Sequence, residues 1–69
     1  MPMIQIIMNG QPLKIAGGSS VAELLALSGA DRQQVAVVVN EQIVRPEERK
    51  AHILEENDQI DVLVFAGGG

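Results

Sequence analysis

The chain has no cysteine, no tryptophan and no tyrosine, and Phe65 is its one aromatic residue. Without cysteine there is no disulfide to staple the fold, and a side-chain zinc site would rest on the lone His52 and carboxylates. Basic residues are also scarce: Lys14, Arg32, Arg45, Arg49 and Lys50 stand against nine acidic residues, for a net charge of −4. That balance argues against nucleic acid as the main partner and favours an acidic carrier meeting a basic groove. Long apolar runs are missing too. Runs such as Val35 to Val39 are far short of the roughly 20 residues a membrane span needs. Met1-Pro2-Met3 does not open a charged signal peptide, and the expectation is a cytoplasmic chain. Sixty-nine residues make one domain at most. A chain this small buries only about 60% of its unfolded surface, and stability must come from packing of its Ile, Leu, Val, Met and Ala.

Met3 to Met8, rich in isoleucine, reads as a strand with Ile4, Ile6 and Met8 on one face and Met3, Gln5 and Ile7 on the other. Asn9-Gly10 is a strong hairpin signal, because both residues tolerate positive φ. Gln11 to Ile15 is the expected returning strand, with Leu13 and Ile15 inward and the Pro12 nitrogen facing away from its neighbour. Gly17-Gly18 before a helix suggests a phosphate loop, but no Lys-Ser/Thr pair follows and a turn is the better reading. Ser20-Val21-Ala22-Glu23 is a capping box. It opens a short helix in which Val21, Leu24, Leu25 and Ser28 follow the helical stripe, and Gly29 stops it.

Asp31 to Gln34 is a polar crossing. Val35 to Val39, apolar on both faces, predicts a central strand. Asn40-Glu41 turns into the short strand Gln42 to Val44, and Pro46 opens at most a single helical turn. Glu47 to Lys50 reads as a solvated surface turn. Ile53 or Leu54 plugs the core, and Asn57 supplies a positive φ in the turn before the last strand, Gln59 to Phe65. His52 has no second ligand nearby, and the carboxylates Glu56 and Asp58 lack the unlike surroundings of a general acid/base pair. Neither suggests catalysis.

The order strand, strand, helix, strand, short strand, strand suits a small α+β domain with one helix on one face of a mixed sheet of four or five strands. With the helix over Ile60, Val62 and Val64, the last strand leaves Leu63 and Phe65 on the open face, where Ile7 can join them. These three residues are the expected docking patch. Beyond them the chain ends Ala66-Gly67-Gly68-Gly69. Glycines cost entropy to order and pack nothing, so a run of them ending in a carboxylate is either frayed or functional.

The element order, the Asn9-Gly10 hairpin, the capped Ser20–Glu23 helix and the triple-glycine end resemble the β-grasp, ubiquitin-like sulfur carriers of the ThiS/MoaD family. Asn40 to Glu47 is similar to the family's N-x-x-I-V-P-R-E segment, with proline and arginine exchanged. Leu54 to Val62 is similar to its L-x-x-G-D-x-I-E-I run, with Asn57 where glycine is usual. No proline pair precedes the tail, as is usual in the MoaD type, and the likeness is nearer the ThiS type of thiamine biosynthesis. That resemblance implies a β-grasp domain over residues 1–66 and a flexible tail over 67–69. It implies a carrier, not an enzyme, with no bound cofactor and no metal. Gly69 would be adenylated by a ThiF-type, E1-like adenylyltransferase using ATP and Mg. It would then become a thiocarboxylate with sulfur from a cysteine desulfurase system and donate that sulfur to a ThiG-type thiazole synthase. Gly67 and Gly68 would thread into the partner. The carrier would be a monomer when free, without nucleic acid or membrane partners. Open alternatives are a molybdopterin-type carrier, another thiocarboxylate pathway, or a non-catalytic β-grasp interaction or modifier domain.

Overall fold

A computed structural model describes residues 2–29 and 34–65. Strand β1 (Met3–Met8) and strand β2 (Gln11–Ala16) form the expected antiparallel hairpin, with Ile7 opposite Pro12 and Gln5 opposite Lys14. Its turn places Asn9 at φ 50° and Gly10 at φ 81°, the positive pair that matches the twist of the two strands. The Ile7 amide donates to the Asp58 carbonyl on the side away from β2. Ile7 and Pro12 are therefore a non-hydrogen-bonded pair, and the proline nitrogen on this edge strand forfeits no ladder bond.

Helix α1 (Val21–Ser28) starts at the predicted box. The Glu23 amide donates to Ser20 Oγ at 3.1 Å, and the Ser20 amide donates to Glu23 Oε1 at 2.9 Å. A cap of this kind contributes about 1 kcal/mol. Gly29, at φ 77°, closes the helix with its amide turned back to the Ala26 carbonyl. Val21, Leu24 and Leu25 are buried, whereas Ser28 is exposed and the stripe is one position shorter than its sequence spacing suggests.

Strands β3 (Val35–Val39), β4 (Gln42–Val44) and β5 (Gln59–Val64) complete one sheet in the order β2-β1-β5-β3-β4. β5 runs parallel to β1 and antiparallel to β3. With one helix on its face, this is the β-grasp arrangement, and five strands resolve the expected four or five. β3 is interior, as its apolar run suggested, but the middle strand is β5. A single 3-10 turn, Pro46–Glu48, follows β4.

The core lies between the helix and one sheet face. Ile6 and Ile15 come from the hairpin, Val35, Val37 and Val39 from β3, and Ile60 and Val62 from β5. Leu54 is the plug and Ile53 is exposed, because the Ser20–Ile53 bridge and the Leu54 amide bond to Ser19 O fix which of the two turns inward. Leu13, on the edge strand, is more exposed than the inward placement expected of it.

Candidate functional site

The sheet registers assign every strand side chain to one of two faces. Ile60, Val62 and the odd-numbered residues of β3 lie under the helix. On the uncovered face, Leu63 stands opposite Ala36, and Asp61 stands opposite Val38, which in turn faces Ile43. Phe65 extends this row, its amide donating to Gln34 O at 3.0 Å. Leu63 and Phe65 are 55% and 58% exposed, and Ile43 is 74% exposed. Together with Val38 and Ala36 they form an apolar patch at the end of the sheet from which the chain leaves.

Ile43 was not among the expected docking residues. The signal for it was its alternation with buried Val44 across the two-residue Asn40-Glu41 turn. Arg45 continues that alternation in extended backbone, and its position sets a cation at the border of the patch. Ile7 is on the same face but elsewhere along it. It pairs with Gln59, four residues before Leu63, or about 13 Å at strand rise. It is also partly buried. The structure thus brings Leu63 and Phe65 together and sets Ile7 apart from them. Val64 points towards the helix side as expected, yet it is 53% exposed and contributes little to the core.

Two asparagines hold β5 in place. Asn9 Oδ1 accepts the Val62 amide at 2.8 Å, where β1 has just turned away. Asn40 Oδ1 accepts the Gln59 amide at 2.9 Å, while Asn40 Nδ2 donates to Asp58 Oδ1 at 2.9 Å. The Asn9 bond links residues 53 apart and the Asn40 bond residues 19 apart, and sequence reading assigned both asparagines only to turns. At the next strand over, Arg49 Nη2 donates to Val35 O at 2.8 Å, past the end of β4. Arg49, read from sequence as part of a solvated turn, is half-buried and structural.

The acidic residues before β5 are used in the same local way. Asp58 Oδ2 accepts the Glu55 amide at 2.8 Å, and both carboxylate oxygens of Glu56 lie 3.3 Å from the Gln5 amide. They brace the turn at the sheet end away from the patch. Among the described residues no group of three His, Cys, Asp or Glu is placed to hold a metal. His52 serves α1 through its backbone, its carbonyl accepting the Val21 amide. An open hollow of about 420 Å³ lies between β2 and α1, lined by Ala16, Ser19, Glu23, Ala26 and Leu27. Its one carboxylate, Glu23, is committed to the helix cap. What the described residues offer is therefore an exposed apolar patch at the end of β5. Gly67, Gly68 and Gly69 lie outside the described residues, as do Asp31, Arg32 and Gln33 of the polar crossing.

The model of the ThiS family matches residues 6–69, the glycine end included. The chain is 35% identical over 66 residues to the sulfur carrier protein ThiS of Escherichia coli K12, covering 96% of this chain and all of that protein. It is 36% identical over 66 residues to a thiazole synthase of Magnetococcus marinus, covering 96% of this chain but only 20% of that longer one. Among solved structures, a crystal structure of the thiamine biosynthesis protein ThiS from Geobacter metallireducens matches with a TM-score of 0.79 at 32% identity, covering 96% of this chain and all of that one. No helix among the described residues is long and apolar enough to cross a membrane.

Proposed function

The chain belongs to the ThiS family, and from that premise we propose that it carries sulfur for thiazole formation on the carboxylate of Gly69. The observation that supports this most is the course of β5. The central strand keeps its buried alternation through Val62, then emerges as exposed Leu63 and Phe65 just before the glycine end. Recognition and delivery are thus assigned to successive segments of the sequence.

An ionised carboxylate is a poor acyl donor, because its charge is delocalised and oxide is a poor leaving group. A ThiF-type, E1-like adenylyltransferase supplies Mg and ATP; the Gly69 carboxylate oxygen attacks the α-phosphorus and pyrophosphate leaves. A persulfide, fed by a cysteine desulfurase, then attacks the acyl carbon and AMP departs. A second thiol cleaves the resulting S–S bond, leaving the thiocarboxylate on Gly69 and a disulfide on the sulfur donor. Thiazole synthase takes the sulfur from there. This chain contributes the acyl group and the docking surface, and it acts as co-substrate in a reaction whose catalytic groups belong to its partners. Leu63 and Phe65 dock, and Ile7 bounds the far end of the same face. Gly67 and Gly68 thread into the partner, and a Cβ on Gly68 or Gly69 would crowd attack at the terminal carbonyl. From Ala66 to Gly69 an extended chain reaches about 13 Å, enough to enter a narrow site. With ATP and reduced sulfur donors as reactants, the cytoplasm is the compartment.

Intact-mass measurement after incubation with the adenylyltransferase, ATP, Mg and a sulfur donor tests this reading. The expected product carries one sulfur in place of one oxygen at Gly69. A chain lacking Gly68 and Gly69 stays folded and unmodified. Absence of the exchange on the full chain, or rescue of a molybdenum-cofactor-deficient strain but not of a thiamine-requiring one, overturns it.

A further inference from the structure

Hydrogen-bond parity along β5 shows which way each of its backbone groups faces. Odd-numbered residues face β3: the Asn40 amide donates to Gln59 O at 2.8 Å, and the Phe65 amide donates to Gln34 O at 3.0 Å. Even-numbered residues face β1: the Ile7 amide donates to Asp58 O and the Asn9 amide to Ile60 O, both at 2.8 Å. At that point β1 turns back into its hairpin. The Asn9 side chain satisfies one more amide, that of Val62. Next along the same side are the Val62 carbonyl and the Val64 amide, and among the described residues no hydrogen bond reaches the Val64 amide.

An acceptor followed by a donor at strand spacing is the template for one more strand. Here it adjoins the apolar row of Leu63 and Phe65. We propose that this vacant lane is filled by an extended segment of thiazole synthase, which adds beside Val62–Val64 in the position β1 abandons. The proposal rests on the sulfur-carrier reading. Thiazole synthase is the occupant because a segment similar to 96% of this chain forms a fifth of a Magnetococcus marinus chain of that name. Backbone pairing in the lane would fix the direction in which the following residues leave the sheet, in line with the partner's active site.

Val64→Pro removes the one amide that faces the lane and leaves the β3 ladder intact, since that ladder uses the amides of Leu63 and Phe65. The binding of the full-length chain to purified thiazole synthase from the same genome is measured by calorimetry for wild type, Val64→Ala and Val64→Pro. An amide-to-ester analogue of the Leu63–Val64 bond is included, which deletes the same donor without the proline ring. The ester and proline forms should bind about three- to tenfold more weakly, the loss of one backbone hydrogen bond. Val64→Ala should stay within about twofold of wild type. Equal affinity of the ester analogue and wild type overturns the proposal, whatever the folding of Val64→Pro. A loss seen only with the adenylyltransferase reassigns the lane and overturns it as well. Failure of the wild-type chain to bind thiazole synthase at all would bring down the carrier reading with it.

Discussion

The two halves of β5 are neighbours in one strand and have opposite surroundings. Gln59 and Ile60 pair with β1, Ile60 pairs with β3 as well, the Asn9 side chain holds the Val62 amide, and Ile60 is fully buried under α1. Leu63 to Phe65 keeps β3 alone, and all three side chains are more than half exposed. The outward positions change from Gln59 and Asp61 to Leu63 and Phe65, and the number of neighbouring strands falls from two to one. Stability and the proposed recognition are thereby assigned to residues a few positions apart on one segment, and substitutions on either side of Val62 should report on different properties.

Ile60→Ala is the sharpest way to press that difference. It empties a filled position and should cost about 2–5 kcal/mol of stability, measured by urea denaturation. Leu63→Asp or Phe65→Asp, a few residues on, should change stability by no more than about 1 kcal/mol and instead abolish partner binding in a pull-down. If either aspartate variant unfolds the domain, the two halves are not separate. Asn9→Ala probes the boundary itself. It strands the Val62 amide and places alanine at positive φ, for a loss of about 1–3 kcal/mol, whereas Asn9→Asp keeps the acceptor and should recover most of it. The smallest effect is expected far from the boundary, in the Asn40-Glu41 turn. Glu41 sits at φ 69°, and Glu41→Gly should raise stability by about 0.5 kcal/mol, with partner binding unchanged.

Local features were legible in the sequence. The Asn9-Gly10 turn, the Ser20–Glu23 cap and the Gly29 stop all depend on residues within a few positions of one another, and each formed as read. The exposure of Leu63 and Phe65 was legible as well, since strand alternation assigns faces. What needed the fold was register. Ile7 shares a face with Leu63, but the parallel offset of β1 and β5 separates them, and no local pattern encodes that offset. The same holds for Asn9, Asn40 and Arg49. Asparagine in a turn reads as turn chemistry whether or not its side chain also reaches a strand 53 residues away, as Asn9 does.

Arg49 has a consequence at the exit end of the sheet. Beyond β1 and β4 only the ribbon of β3 and β5 continues. On its β4 side the Arg49 guanidinium occupies the Val35 carbonyl, while on its β1 side the Asn9 amide group stops one residue pair short. The ribbon is therefore sealed along one margin and unsealed along the other. An incoming backbone would therefore find one seat, not two, and a partner pairing there would meet the domain in a single orientation.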